Sequence, residues 1–418
     1  MLCDQLEAPD VPRRFRDFIE GTRRHTHEQD AAGLRAGGFD DLARELERSW
    51  SDYAEALRSY QARGEDLLGS LAAHAQWTSS ATHAILPLLA TDTGVRMQVQ
   101  TGVRAHRARF GEQWRGGFWL PECAYAPWIE RALEDAGVSA TCVELTRRFG
   151  LGAPEHLRPI ATESGVRLVP IDRSIISLVW SDSGYPAGGA YRDYHHHTVH
   201  HHNPWSNDGE AYDHAKALAL ARGHAADFVT RTLARLGDAG EPGLVVCALD
   251  TELLGHWWYE GVHWLRAVVE ECSRQGLELL RLDDALERFQ PVTPHEASDG
   301  GSDAGFVEQP ISWGSNGDLS TWSGPAVGEM AFAARAAELK VEASGTQVGM
   351  AAVRGLLALQ ASDWPFMVSR GIAVPYARDR FAAHHRALQS ALLDGARAGD
   401  DGLRNLAVHA DLAALLQP

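Results

Sequence analysis

Lysine is nearly absent: among 39 basic residues only Lys216 and Lys340 are lysines, and 56 acidic residues leave a formal charge of −17. With no basic run, the chain is unsuited to nucleic acid or to an anionic membrane surface, whereas a neutral polymer is compatible. Cysteine is scarce too. The five residues (Cys3, Cys123, Cys142, Cys247, Cys272) are scattered, odd in number and without a CxxC pair, which excludes a disulfide framework and a paired-thiol metal site. Cys142 and Cys247 fall inside apolar strand patterns, where a reduced thiol packs as a small hydrophobe, and the cytosol is the expected compartment. No apolar run approaches the length of a membrane span, and the opening Met1–Glu7 does not resemble a signal peptide. There is no internal repeat.

What remains is an ordinary globular composition, 44% hydrophobic and 23% charged, with one excess: 13 tryptophans, clustered near acids and glycines late in strands. One short stretch organises the rest, Gly117-Phe118-Trp119-Leu120-Pro121-Glu122-Cys123-Ala124-Tyr125. Phe118 to Leu120 reads as the end of a buried strand, and Pro127 suits the first turn of a helix to about Ala136. Gly137 stops that helix, and Val138–Val143 is the next strand. Glu122 therefore sits at the carboxyl end of a strand, where α/β barrels keep their chemistry. Trp119, Tyr125 and Trp128 offer flat faces for sugar rings, and a carboxylate among them can attack or stabilise an anomeric carbon. A buried, salt-bridged Glu is the alternative.

Taken in order, residues 1 to about 74 predict a helical pair. Pro12 starts one helix, Gly37-Gly38 breaks it, and a second runs from about Asp40 to Arg63 with Leu42, Leu46, Trp50, Tyr53 and Leu57 at helical spacing. From Ala75 strands and helices alternate: Ala75–Ser79, a helix capped by Asp92 to about Arg109, the Glu122 strand, Val138–Val143, Val166–Ile171 and Ile175–Trp180. A long polar loop follows, then a helix over about Tyr212–Leu236, a strand Gly243–Leu249 ending at Asp250, a helix Val262–Gln275 and a strand Leu277–Leu282. Such alternation implies a parallel sheet with covering helices. The composition of Pro291–Gly305 is that of a linker. A Trp- and Gly-rich segment follows it, and Ala326 to Leu416 reads as three or four packed helices.

The partner stretch is Ala248-Leu249-Asp250-Thr251-Glu252-Leu253-Leu254-Gly255-His256-Trp257-Trp258-Tyr259. Asp250 ends its strand as Glu122 ends its own, and two carboxylates ringed by Trp and Tyr suit glycosidic bond chemistry. One must be ionised to attack; the other must hold a proton for the leaving oxygen, through burial or a charged neighbour. On spacing alone either could take either part.

These two stretches resemble the two catalytic regions of glycoside hydrolase family 57, and within it the 1,4-α-glucan branching enzymes. Ser80-Ala81-Thr82-His83, Val179-Trp180-Ser181 with Gly184-Tyr185-Pro186, Ser312-Trp313-Gly314 and Gln360-Ala361-Ser362-Asp363-Trp364-Pro365 agree with that subgroup in the same order. The resemblance implies an α/β fold: an incomplete (β/α)7-type barrel lacking its first strand or strands, with a helical insertion and a helical C-terminal domain. The implied boundaries are 1–74 for the insertion, 75–290 for the remainder of the barrel, 291–305 for a linker and 306–418 for the C-terminal domain. It further implies a retaining mechanism on an α-1,4-glucan, with Glu122 as nucleophile and Asp250 as general acid/base. His83, His256, Trp257, Trp313 and Asp363 would contact the glucan, and the 185–194 loop would favour transfer over hydrolysis, with Tyr191 its expected contributor. A related 4-α-glucanotransferase or α-amylase, or a non-catalytic glucan-binding remnant, are the other readings. The resemblance implies no metal and no cofactor.

Two features depart from the family. Its members open with a strand carrying His-x-His-x-Pro, which is not found before residue 75; residue 1 is expected to fall inside the helical insertion, with the start assigned too far downstream. His25-Thr26-His27 reads instead as solvated helix surface. The run His195-His196-His197 and His200-His201-His202 on the polar loop reads as surface able to take up metal adventitiously, not as an ordered metal site.

Overall fold

The computed structural model describes residues 1–238, 242–297, 307, 309–394 and 403–416. They form two compact units, Met1–Ala8 with Leu68–Ile171 and Leu286–Pro418, and Pro9–Leu67 with Asp172–Ala285. Most of the expected linker, residues 298–305, lies outside the described residues. No described helix is long and apolar enough to cross a membrane.

The first unit holds a five-stranded sheet of β1 (Thr78–Ser79), β2 (Gly117–Trp119), β3 (Ala140–Val143), β4 (Ile160–Ala161) and β5 (Arg167–Pro170), in the order β1-β2-β3-β5-β4. All neighbours are parallel except β4, which runs antiparallel to β5. The Asp92–Phe110 helix makes the crossover from β1 to β2. Its cap is Thr91, not the expected Asp92: the Thr91 hydroxyl accepts the Gly94 N–H, satisfying a donor that the helix start leaves open. The helix lies so close on β1 that a Cβ at Gly102 would stand 1.9 Å from the Ser79 carbonyl oxygen, while the Thr78 hydroxyl donates to the Gly102 carbonyl. Phe118, Leu120, Ile129, Leu133, Val143 and Leu168 are fully buried between the sheet and its helices. A second core, around Leu356, Leu357 and Leu388, joins the helices Gly328–Ala343, Met350–Leu359 and Val374–Asp394. The architecture is thus the mixed α/β class with a helical C-terminal region.

The second unit is helical. Helices Arg24–Ala36 and Asp40–Ala62 pack through Ala31, Ala43 and Leu46. Helices His214–Gly237 and Gly261–Gln275 meet through Ala217, Ala221, Ala225, Trp264 and Val268. Three expected strands differ here. Ile175–Trp180 is a short helix, Arg173–Ile176, followed by turns, because the buried Asp172 accepts the N–H groups of Ser174 and Ile175 and so starts a helix there. Arg235 donates to the second oxygen of the same carboxylate. Gly243–Leu249 and Leu277–Leu282 carry no strand ladder among the described residues. Val246 accepts one backbone N–H, from Asp172, while Val245, Cys247 and Leu249 pack against the helical core. Burial of an apolar run is common to a core strand and to an extended core segment, and only pairing tells them apart.

Candidate active site

Glu122 follows β2 inside the tight turn Pro121–Cys123, and both Glu122 (φ +60°) and Cys123 (φ +51°) are left-handed. For side chains other than glycine such backbone costs about 1–3 kcal/mol per residue and persists only where surroundings enforce it. The enforcement is visible. Cys123 N–H donates to Leu120 and Ala124 N–H to Pro121 within the turn. Tyr125 and Ile311 then exchange both backbone hydrogen bonds, at 2.9 and 3.0 Å, anchoring the later segment to the strand end. That anchor carries Trp313 back: its backbone N–H donates to the Glu122 carbonyl (2.9 Å) and its indole Nε1–H to Glu122 Oε2 (2.5 Å). The Trp119 ring meets the Trp313 ring edge-on at 5.2 Å.

His83, also left-handed at φ +60°, is held by Ser362: Nδ1 lies 2.8 Å from Ser362 Oγ, and the Ser362 N–H donates to the His83 carbonyl. The next residue, Asp363, opens the helix Asp363–Ser369 with an exposed side chain. One apolar cluster joins these segments. Ile85, Ala124, Leu319 and Trp322 are buried together, with Phe366 packed against them. Thus the stretches bearing Glu122, His83, Trp313 and Asp363 share a single anchorage within the first unit.

The other expected residues lie in the second unit. Asp250 precedes the turn Thr251–Leu253, and its carbonyl accepts the Leu253 N–H. Burial, then the neighbouring charge of Glu252, pushes its carboxyl up to about 6. His256 and Trp257 follow in a loop closed by the Gly255 N–H to the Trp258 carbonyl, where Gly255 at φ +98° needs the freedom of glycine. Trp257 is 43% exposed.

Tyr191 is a correction. It is wholly buried, its hydroxyl 2.9 Å from His224 Nδ1 and its ring against Trp258, so it packs the core and offers nothing to a sugar. Tyr185 is pinned likewise, donating to Asp227 and stacked on His224. Tyr194, at the end of the same 185–194 loop, is the tyrosine that lies beside the expected His256 and Trp257. Its half-buried ring lies 4.5 Å from Trp257 and 5.5 Å from His256. The polar neighbours of Tyr194 were the available signal, since a core tyrosine needs apolar company.

The histidines also differ from expectation. His27 is buried, its ring among those of Trp50, Tyr53 and His202. His200 Nδ1 stands 2.6 Å from Asp30, and His202 is buried, so the histidine-rich loop folds onto the helix that carries His27. Among the described residues no group of three His, Cys, Asp or Glu is placed to hold a metal ion.

Comparison with known proteins bears on this arrangement. Residues 75–295 match glycosyl hydrolase family 57, and residues 326–407 match the C-terminal domain described as 1,4-alpha-glucan branching enzyme, C-terminal. A 1,4-alpha-glucan branching enzyme of Thermococcus kodakarensis is 29% identical, over 92% of this chain and 63% of the relative. A protein of Mycobacterium tuberculosis named probable 1,4-alpha-glucan branching enzyme is 34% identical, over 70% of this chain and 58% of its own length. The chain thus spans about six tenths of the length of the curated relatives it matches. The crystal structure of a family-57 branching enzyme from Pyrococcus horikoshii superposes with a TM-score of 0.87 at 26% identity, covering 100% of this chain and 85% of that one. An alpha-amylase of Thermotoga maritima, at 20% identity and a TM-score of 0.77 over 100% of this chain and 88% of that one, shares the fold. With its strand-end Glu122 clamped by Trp313 and more than half its length matched by one family, this chain belongs to glycosyl hydrolase family 57.

Proposed function

We propose that this chain is a 1,4-α-glucan branching enzyme working by retaining double displacement. Glu122 attacks the anomeric carbon of an α-1,4-linked glucose while Asp250 gives its proton to the departing 4-oxygen, leaving the donor chain covalently on Glu122. Asp250, now a carboxylate, takes the proton of a 6-hydroxyl on an acceptor glucose. That oxygen displaces Glu122, and an α-1,6 branch results. Trp313 orients the nucleophile and presents its ring to the glucan; His83, Asp363, His256 and Trp257 contact sugar hydroxyls and faces. Tyr194 takes the place first expected for Tyr191.

The observation that carries the reading is the clamp on Glu122, whose carboxylate is fixed by the Trp313 indole at the end of a parallel strand. The raised carboxyl of Asp250 supports its role as proton donor, since near pH 6 it still keeps about half its protons where an ordinary aspartate would be almost fully ionised. The match of residues 326–407 favours branching over simple hydrolysis. The free cysteines fit a cytosolic enzyme. The test is amylose incubated with the protein, read by iodine absorbance and by α-1,6 anomeric protons. Branch signals that vanish with Glu122→Gln support the reading; shortened chains without α-1,6 linkages would instead mark a glucanotransferase or amylase.

A further inference from the structure

Glu338, on the helix Gly328–Ala343, is only 2% exposed, and the reaction described above makes no use of its carboxylate. Its two oxygens accept four donors. Oε1 takes the N–H (2.9 Å) and the hydroxyl (2.8 Å) of Thr91; Oε2 takes the N–H of Ala90 and the side-chain amide of Gln360, each at 3.0 Å. Glycine makes room for it, since a Cβ at Gly94 would stand 2.1 Å from Oε1. The bonds continue inward. Gln360 Oε1 accepts Nε2–H of Gln98 (2.9 Å), on the helix Asp92–Phe110. Gln98 in turn holds Thr82: its amide oxygen accepts the Thr82 N–H (3.2 Å) and its Nε2–H donates to the Thr82 hydroxyl (3.0 Å). That hydroxyl donates to the Leu357 carbonyl (2.5 Å). Gln98 and Thr82 are completely buried.

This chain of bonds closes on His83 from both sides. Thr82 immediately precedes it, and Gln360 is followed shortly by Ser362, whose hydroxyl meets His83 Nδ1 at 2.8 Å. His83 needs such a grip, because it is left-handed and belongs to no strand or helix that would set its direction. Pinning one helix to another would not require a charge, and a buried carboxylate is a costly way to do so. Charge-assisted hydrogen bonds are shorter and stronger than neutral ones, and so hold a geometry more firmly. All four partners of Glu338 are donors, so a side-chain amide in its place would turn an NH2 group toward them.

We propose that Glu338 is a positioning residue for His83, fixing through Gln360 and Gln98 the direction of the imidazole that meets the substrate. The contact of His83 with a glucan rests on the branching reading. The test is a double-mutant cycle on the full chain, with initial rates on amylose. Glu338→Gln should lower kcat/KM about tenfold, because a small misplacement of a substrate-binding group costs rate. In a His83→Ala background the same substitution should cost less than about twofold, since the group it aims is gone. Val341→Ala, buried on the same helix but outside the chain of bonds, should lower the melting temperature and keep kcat/KM within about twofold in both backgrounds. If Glu338→Gln fails to fold, Gln98→Met cuts the link to Thr82 at similar volume and carries the same expectation. Additive losses at position 338, or 98, and at His83 would overturn the proposal and leave Glu338 a helix pin. A second readout needs no activity. With 13C-labelled histidine, the His83 ring signal, assigned by its loss in His83→Gln, should shift with Glu338→Gln and stay in place with Val341→Ala. An unmoved His83 signal in Glu338→Gln would overturn the proposal. A chain inactive on amylose whose His83 signal shifts sinks only the catalytic reading; an active chain with additive losses sinks only this one.

Discussion

Trp313→Phe separates the two parts assigned to this residue. The substitution keeps a ring for the sugar and deletes the N–H that holds Glu122 Oε2 at 2.5 Å. A hydrogen bond to a charged group is worth about 1.5–3 kcal/mol. If the whole of that bond serves to aim the nucleophile, the barrier rises by the same amount, and with a tenfold rate change per 1.36 kcal/mol, kcat falls about 10- to 150-fold. The backbone bond from Trp313 to Glu122 is untouched, so the left-handed turn should survive and the melting temperature should barely move. KM should change little, because stacking is retained. Trp313→Ala removes the face as well, so KM should rise in addition to the loss in kcat. Initial rates on amylose, followed by α-1,6 linkages formed, measure both constants. A Trp313→Phe enzyme within twofold of wild type in kcat would refute the clamp as a catalytic device.

Asp250 must hold a proton for bond cleavage, and its carboxyl, raised to about 6, loses that proton as pH rises through this value. The pH profile of kcat/KM should therefore fall above about pH 6, and Glu252→Gln, which removes the second cause of the shift, should move that fall to lower pH. Tyr191→Phe loses the bond to His224 and should cost about 1 kcal/mol of stability with kcat unchanged, read by denaturant unfolding beside steady-state rates. Gly102→Ala drives a methyl into the Ser79 carbonyl and should destabilise the fold by about 1–3 kcal/mol, measured by thermal melting.

Local chemistry made part of this structure legible. β2, β3 and β5 announce themselves as apolar runs, with Gly116, Gly137 and Gly165, all left-handed, in the turns before them. Pro121 and the flanking tryptophans marked the turn in which Glu122 sits. What escaped depends on partners far along the chain. His27 reads as surface because its own helix gives no hint that His202 will cover it, and that cover rests on a contact between Asp30 and His200, 170 residues apart. Tyr185, Tyr191 and Tyr194 share one loop, and only the helix bearing His224 and Asp227 decides that the first two turn inward. The stretch after β5 misled for a different reason: an apolar run suggested a strand, while Asp172, one residue before Arg173, already carried the helix-start signal.

The central claim, that Glu122 forms a covalent glycosyl bond which Asp250 helps make and break, is open to one direct measurement. With Asp250→Asn, an activated donor such as α-glucosyl fluoride needs no acid to enter the intermediate but lacks the base to leave it, so a glucosyl-enzyme should accumulate. Digestion and mass spectrometry should then find the added hexose on the peptide containing Glu122, and Glu122→Gln in the same background should abolish it. A hexose on any other residue, or release of β-configured glucose with no adduct formed, would contradict the account.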